Sequence, residues 1–380
     1  MEDRLRGLIE GNAEANRTKW ALEWKKQGKK VIGTICLSVP EEIIYAAGML
    51  PWRVSGTWRE NTPLASAYRL PYTCPFCTHV LESLLTGELG FMDGVVFTDR
   101  DYDIVRLSDV WTEVGKTPFL HIMHLPQRDS ELARLHLAKG IRALMGAIEK
   151  LGGKRITDES LSHAIDVYNE RQALVANLFE MRKREKPPLS GAEVLGITTA
   201  AGVMPADEFN RELKALLPYI ERRKPLLCNV RPRLLVSSDM LDNPAYLRVI
   251  EDAGCLVAMD DLDTGSRHFQ QAVDTGHSDP AYALAKHYIT GHGSARTGQW
   301  DEQAQQVVQW VKDFSIDGVV DLRQAWCFPR MWRAPFFQPK LAEAGIPNIS
   351  IEREYHLANV GQLRTRIEAF LEMLGNTAGD

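Results

Sequence analysis

The sequence has little cysteine, six in 380 residues. That density excludes a disulfide-built scaffold. It has no basic excess either: 45 Lys and Arg stand against 50 Asp and Glu, for a net charge of −5. The basic footprint of a nucleic-acid-binding protein is therefore missing, and no nucleic-acid partner is expected. No apolar run approaches the roughly 18–20 residues of a membrane span, so no membrane partner is expected. The opening MEDRLRGLIEGN is charged and lacks the apolar stretch of a signal peptide. The expectation is a cytoplasmic chain whose cysteines are reduced, buried or metal-bound. No Gly-x-Gly-x-x-Gly follows the first strand-like run, and no Gly-x4-Gly-Lys-Ser/Thr occurs anywhere. A nicotinamide site and a nucleotide-hydrolysing P-loop are unsupported. The Gly-x-Ser-x-Gly elbow of the hydrolases is absent too.

What the chain does have is an αβ cadence. Residues 2–28 read as one amphipathic helix, with Leu5, Leu8, Ile9 and Ala13 at helical spacing. VIGTIC (31–36) reads as a buried strand. Ser38-Val39-Pro40-Glu41 reads as a capping box opening a helix over EEIIYAAGM. LPWRVS (50–55), DGVVFT (93–98) and TPFLHIM (117–123) read as strands. Helices fall between them, over CPFCTHVLESLLTG and YDIVRLSDVWTEVG. Residues 129–225 show no strand; helices fit 129–151, 157–184, 191–202 and 206–222, with RKREKPP (182–188) as a solvated linker. The alternation returns at RPRLLVSS (231–238) and runs through CLVAMDD, DGVVDL (317–322) and IPNISIE (346–352) to a closing helix over 361–375. The expected fold is α/β: two flavodoxin-like, doubly wound parallel-sheet domains with N-terminal and central helical additions. The expected division is an N-terminal helix (1–28), a first α/β domain (29–128), a helical segment (129–228) and a second α/β domain (229–380). In open parallel sheets, ligands sit beyond the carboxyl ends of the strands. That places chemistry on loops 36–40, 56–78, 98–103, 237–244, 260–268 and 321–330.

Four cysteines fall at or near those loops: Cys36, Cys74, Cys77 and Cys327. Cys228 lies before a strand, and Cys255 opens the apolar CLVAM as a small buried hydrophobe. Cys74-Pro75-Phe76-Cys77 opens a helix, where the dipole favours a thiolate. That pair is compatible with a redox dithiol, with part of an iron–sulfur site, or with unligated thiols. A zinc site would want a second close pair, which is missing. Cys327 sits in DLRQAWCFPRMWRAPFF, whose aromatics would shield a cluster. Arginines at 53, 59, 69, 106, 267, 323, 330 and 333 stand at loop or helix-start positions, where they would suit an anionic ligand. His121 and His124 end a strand without a third ligand nearby.

Taken together, VIGTICLSVPEEIIYAAGMLPWRVSG (31–56), LPYTCPF (70–76), DGVVFTDRDYDIVRLSDVW (93–111), RPRLLVSSDM (231–240), IEDAGCLVAMDDLDTGSR (250–267), DGVVDLRQAWC (317–327) and GQLRTRIEAFLEML (361–374) resemble the family of 2-hydroxyacyl-CoA dehydratase and benzoyl-CoA reductase subunits. They run in family order over nearly the whole chain. The resemblance implies a heterodimer of two related subunits and an acyl-CoA substrate. It implies a [4Fe–4S] cluster held by three cysteines, and a separate ATP-hydrolysing iron–sulfur activator that injects an electron. Cys74 matches the first ligand and Cys327 the third. Where the family usually carries a Cys-Asp pair, this chain has Tyr102-Asp103. Cys77, Cys36 or Tyr102 would then complete the set, with Cys77 favoured. A double-cubane cluster, or a cluster-free structural or CoA-binding subunit, are the alternatives. Ser38 and Glu41 are expected near the thioester, and Arg53, Arg69 and Arg106 at CoA phosphates.

Overall fold

Several apolar runs show no alternation and are buried along their length, as strands covered on both faces must be. The computed structural model describes residues 1–152, 154–225, 231–269, 271–290 and 299–377. Its first half comprises α1 (Glu2–Ile9), α2 (Lys19–Lys26), β1 (Val31–Thr34), α3 (Glu41–Ala46), β2 (Leu50–Arg53), α4 (Pro75–Leu85), β3 (Gly94–Thr98), α5 (Tyr102–Val114) and β4 (Leu120–Met123). Four helices follow: α6 (Glu131–Gly152), α7 (Asp158–Met181), α8 (Gly191–Ala200) and α9 (Ala206–Arg222). The second half comprises β5 (Arg233–Ser238), α10 (Ala245–Glu251), β6 (Leu256–Leu262), α11 (Pro280–Thr290), α12 (Trp300–Asp313), β7 (Gly318–Gln324), α13 (Phe328–Glu343), β8 (Asn348–Arg353) and α14 (Val360–Thr377).

The strands form two sheets, ordered β2-β1-β3-β4 and β6-β5-β7-β8, with every pair parallel. The same 2-1-3-4 winding occurs twice, which is the flavodoxin-like order. Ile32 and Val96 of the first sheet share a buried cluster with Ile43, Leu137, Ile141 and Leu144. Ala281, Leu284 and Tyr288 of α11 join that cluster, so a helix from the second half covers the first sheet. Leu235, Leu256 and Val319 of the second sheet pack with Leu5, Val194 and Phe209.

The carboxyl ends of the two sheets face each other. Gly56 N–H donates to the Tyr355 hydroxyl at 3.0 Å, and Trp58 Nε1 donates to Asp242 at 3.3 Å. The Phe76 ring meets Tyr355 edge-on at 5.7 Å.

Three local expectations change, and one helix is new. Residues 2–28 form two helices, because the chain turns at Gly11; a Cβ there would stand 2.8 Å from Ala200 Cβ. Ser38 does not cap α3: Pro40 is the N-cap and no side chain bonds the helix start. The stretch at 182–188 is not simply solvated. Arg182 is fully buried, and the Arg182 and Arg184 carbonyls accept from Arg233 at 2.6 and 3.2 Å. The new helix is α11, whose start is marked by Asp279-Pro280: the Asp279 carboxylate accepts the Ala281 and Tyr282 N–H groups.

Candidate active site at the facing sheet edges

Cys74 is the N-cap of α4, with Pro75 next, and Cys77 lies in the first turn. Both are buried. The Cys77 thiol donates to the Cys74 sulfur, which holds Cys74 below the usual thiol value and, with burial, pushes Cys77 well above it. Cys327 is the N-cap of α13. Gln324 joins the two helix starts. Its Nε2 donates to Cys74 Sγ at 3.5 Å, and its carbonyl accepts the Cys327 N–H at 3.2 Å. The Cys327 thiol points to Asp239 Oδ2 at 3.7 Å. Gln324 thus links the Cys74 sulfur, which has Cys77 one turn on, to the Cys327 backbone. Cys36 packs in the same apolar cluster as Cys74 and Cys77, with its thiol 4.0 Å from Ser38 Oγ. Its φ is +85°, a left-handed conformation that costs a non-glycine residue of order 1–2 kcal/mol. Met240 repeats this at the matching place after β5, with φ +42°. Cys255 donates to the Ile250 carbonyl, and burial raises it to about 12. Cys228 lies outside the described residues.

Tyr102 is 75% exposed, and the Arg106 guanidinium lies 5.4 Å from its ring centre. Asp101, not a cysteine, caps α5, accepting the Asp103 and Ile104 N–H groups. Asp103 pairs with buried Arg69 at 2.8 Å and takes the Cys74 N–H; burial raises its carboxyl. Arg106 is exposed and pairs with Asp109 at 2.9 Å.

Behind the Cys36 loop lies a buried polar network. The Glu41 carboxylate is clasped by Arg53, and by Arg171 at 3.1 Å. Burial opposes its charge, but the two guanidinium groups hold it below the usual carboxylate range. Arg171 also donates to the Ala201 carbonyl and stands 3.3 Å from His268 Nε2. Among the described residues, Glu42 has no ion-pair partner of its own. It accepts the Tyr288 hydroxyl at 2.9 Å, and burial pushes it up to about 7. Glu41 is therefore a fixed anion, and Glu42 is the group here able to hold a proton near neutrality.

The second sheet ends in a dense ion network that the sequence reading missed. Arg267 bonds Asp239, Asp261 and Asp263 at 2.8, 2.7 and 2.6 Å. Arg330 bonds Asp321 at 2.9 Å, and Arg333 meets Asp261 at 3.2 Å. The signal was MDDLD at a strand end: carboxylates placed there answer the arginines of the next loops. These arginines are engaged by carboxylates of the chain itself and fasten α13, and with it Cys327, to the sheet.

Among the described residues, no three His, Cys, Asp or Glu side chains gather as ligands of a single metal ion. An iron–sulfur cluster asks for something else: several thiolates, each on its own iron. Cys74, Cys77 and Cys327 fit that chemistry. They are three buried thiols on two helix N-termini, which favour negative charge.

The family model for 2-hydroxyglutaryl-CoA dehydratase, D-component, matches residues 36–374. The chain belongs to that family. The match opens at Cys36 and takes in every cysteine discussed above. The (R)-phenyllactyl-CoA dehydratase beta subunit of Clostridium sporogenes is 26% identical, over 94% of this chain and 96% of that one. A benzoyl-CoA reductase subunit of Thauera aromatica is 27% identical over 90% of each. The (R)-2-hydroxyglutaryl-CoA dehydratase beta subunit of Acidaminococcus fermentans is 26% identical, over 93% of this chain and 94% of that one. This is a family of enzyme subunits acting on acyl-CoA thioesters. No helix among the described residues is long and apolar enough to cross a membrane.

Proposed function

We propose that the chain is one of two related subunits of a cytoplasmic enzyme that dehydrates a 2-hydroxyacyl-CoA or reduces an aryl-CoA. In this reading Cys74, Cys77 and Cys327 hold a [4Fe–4S] cluster, and a separate ATP-hydrolysing iron–sulfur activator charges it. The observation that carries the reading is Gln324, which bonds Cys74 with its side chain and Cys327 with its carbonyl. When bound, the cluster supplies a one-electron carrier beside the thioester. The chain's own residues do the rest. The first turns of α4 and α13 stabilise thiolate charge. Asp103 and Arg69 fix the Cys74 loop. Glu41 aligns Arg53, and Ser38 takes the Cys36 thiol. Arg106, the surface member of the three predicted phosphate-binding arginines, meets the CoA phosphates.

A second reading has one observation in its favour: Tyr102 stands exposed where the resemblance calls for a cysteine. In that reading the chain is a cluster-free CoA-binding subunit. The test is iron and acid-labile sulfide per chain, after anaerobic purification together with its partner. About four of each is expected, lost in Cys74→Ala, Cys77→Ala and Cys327→Ala and kept in Cys36→Ala. Close to eight iron would favour a double-cubane cluster, with Cys36 recruited. No iron would overturn the redox reading and leave the cluster-free one.

A further inference from the structure

Gln324 is the last residue of β7 and is only 4% exposed. The two ends of its amide are used unequally. Nε2 donates to Cys74 Sγ at 3.5 Å. Oε1 is buried and has no hydrogen-bond partner among the described residues. A glutamine kept to fasten the end of a strand would use both ends, because an unpaired buried acceptor is costly. Here only the donor is used, and what it meets is a sulfur.

The surroundings of that sulfur are otherwise acidic. Asp101 and Asp103 both oppose negative charge on Cys74. The Cys327 thiol faces Asp239 Oδ2 at 3.7 Å. The nearby guanidinium groups are taken: Arg69 by Asp103, Arg267 by Asp239 and Arg330 by Asp321. The Cys77 thiol also donates to Cys74, but a cysteine that binds iron gives up its proton. The Cys77 N–H and Gln324 then remain as donors to the Cys74 sulfur. The first is fixed by the helix start. The second is a side chain.

Hydrogen bonds to the sulfurs of an iron–sulfur cluster help to set its reduction potential. Reduction adds one electron, makes and breaks no bond and takes up no proton. A donor aimed at the sulfur favours the more negative state. We propose that Gln324 is a positioning residue which, through the Cys74 sulfur, raises the potential at which this chain accepts an electron. The inference rests on the reading of Cys74, Cys77 and Cys327 as cluster ligands and adds what tunes that site. The electron comes from the iron–sulfur activator, and in the test from dithionite.

The test is a dithionite titration, followed by EPR, of the enzyme purified anaerobically with its partner. The signal lost in Cys74→Ala identifies this chain's cluster. Gln324→Leu and Gln324→Met each remove the amide and pack differently, while the carbonyl of residue 324 still takes the Cys327 N–H. Both variants are expected to keep about four iron per chain. Both are expected to be harder to reduce, by about tenfold in the reduction equilibrium, or about 59 mV for one electron. An equal or higher potential in both overturns the inference and leaves the cluster reading standing. A fall in only one variant assigns the effect to packing and also overturns it. Loss of iron in both, with the partner still bound, makes Gln324 an assembly residue and overturns the tuning role. No iron in the wild type sinks the cluster reading itself.

Discussion

Glu42 makes stability depend on pH in an unusual direction. Its carboxyl is almost fully buried on α3, hydrogen-bonded to Tyr288 and raised from 4.5 to about 7. The charged neighbours are Glu41, which raises it further, and Arg171, which lowers it. Between those two pH values the folded chain keeps a proton that the unfolded chain has lost. The stability tied to the neutral carboxyl is therefore whole below 4.5 and is lost as the pH rises through 7. Ionising the group in place corresponds to about 3 kcal/mol of lost folding free energy. Glu42→Gln removes the titration and keeps an oxygen for the Tyr288 hydroxyl. The assay is urea unfolding of both proteins at pH 5, 6, 7 and 8. At pH 5 the variant is expected to be equal to the wild type or slightly weaker. By pH 8 it is expected to gain on the wild type by about 2.5 kcal/mol relative to pH 5. A difference between the two proteins that stays constant across the series would refute the assignment.

Two further outcomes follow from burial and contact geometry. His79 is lowered to about 4, chiefly by burial, with its Nδ1 on the Thr57 carbonyl. It contributes stability above its unfolded value of 6.5 that is lost as the pH falls toward 4, the opposite slope to Glu42. His79→Asn, which keeps a donor for Thr57, is expected to flatten the acid limb of the same urea series. An unchanged limb rejects the role. Gly196 lies where a Cβ would stand 2.5 Å from the Ile9 carbonyl oxygen. Gly196→Ala is expected to cost about 1–3 kcal/mol by overpacking α1 against α8. Gly7→Ala, with nothing within 4 Å, is expected to be neutral or better, and equal melting of the two variants would count against the contact.

The strands and the four central helices were legible because each carries its own period or its own unbroken apolar run. The central helices fall within three residues of their expected ends. Two readings failed for a shared reason: the deciding group lay far away in sequence. The predicted first helix gives way to turns over 10–18, and Gly11 fits there because a Cβ would stand 2.8 Å from Ala200 Cβ. Arg182 looks solvated inside a Lys/Arg run, yet it packs 3.9 Å from Asp260. The arginine count at the loops was right as composition and misleading as chemistry. Arg53, Arg69, Arg267 and Arg330 each have a buried carboxylate at hand, and nothing in local spacing announces such a partner. α11 was different, since its Asp-Pro start was in plain view.

The repeated winding sets the start of α5 beside that of α13 for comparison. After β3 and after β7 the chain reaches the same kind of place, the start of a helix beyond a central strand. In the first half Asp101 takes it, and its carboxylate accepts two of the free N–H groups of α5. In the second half Cys327 takes it, and no side chain satisfies the first turn of α13. The start of α4, at Cys74, is likewise without a side-chain cap bond. A helix N-terminus supplied with its own carboxylate has little left to offer a second anion. One that ends in a cysteine keeps its N–H groups for a thiolate or for whatever that thiolate binds. With the α5 terminus already served by Asp101, Tyr102 is free to face outward under Arg106. Of the three, the termini without such a side-chain cap bond are those of α4 and α13, where Cys74, Cys77 and Cys327 are found.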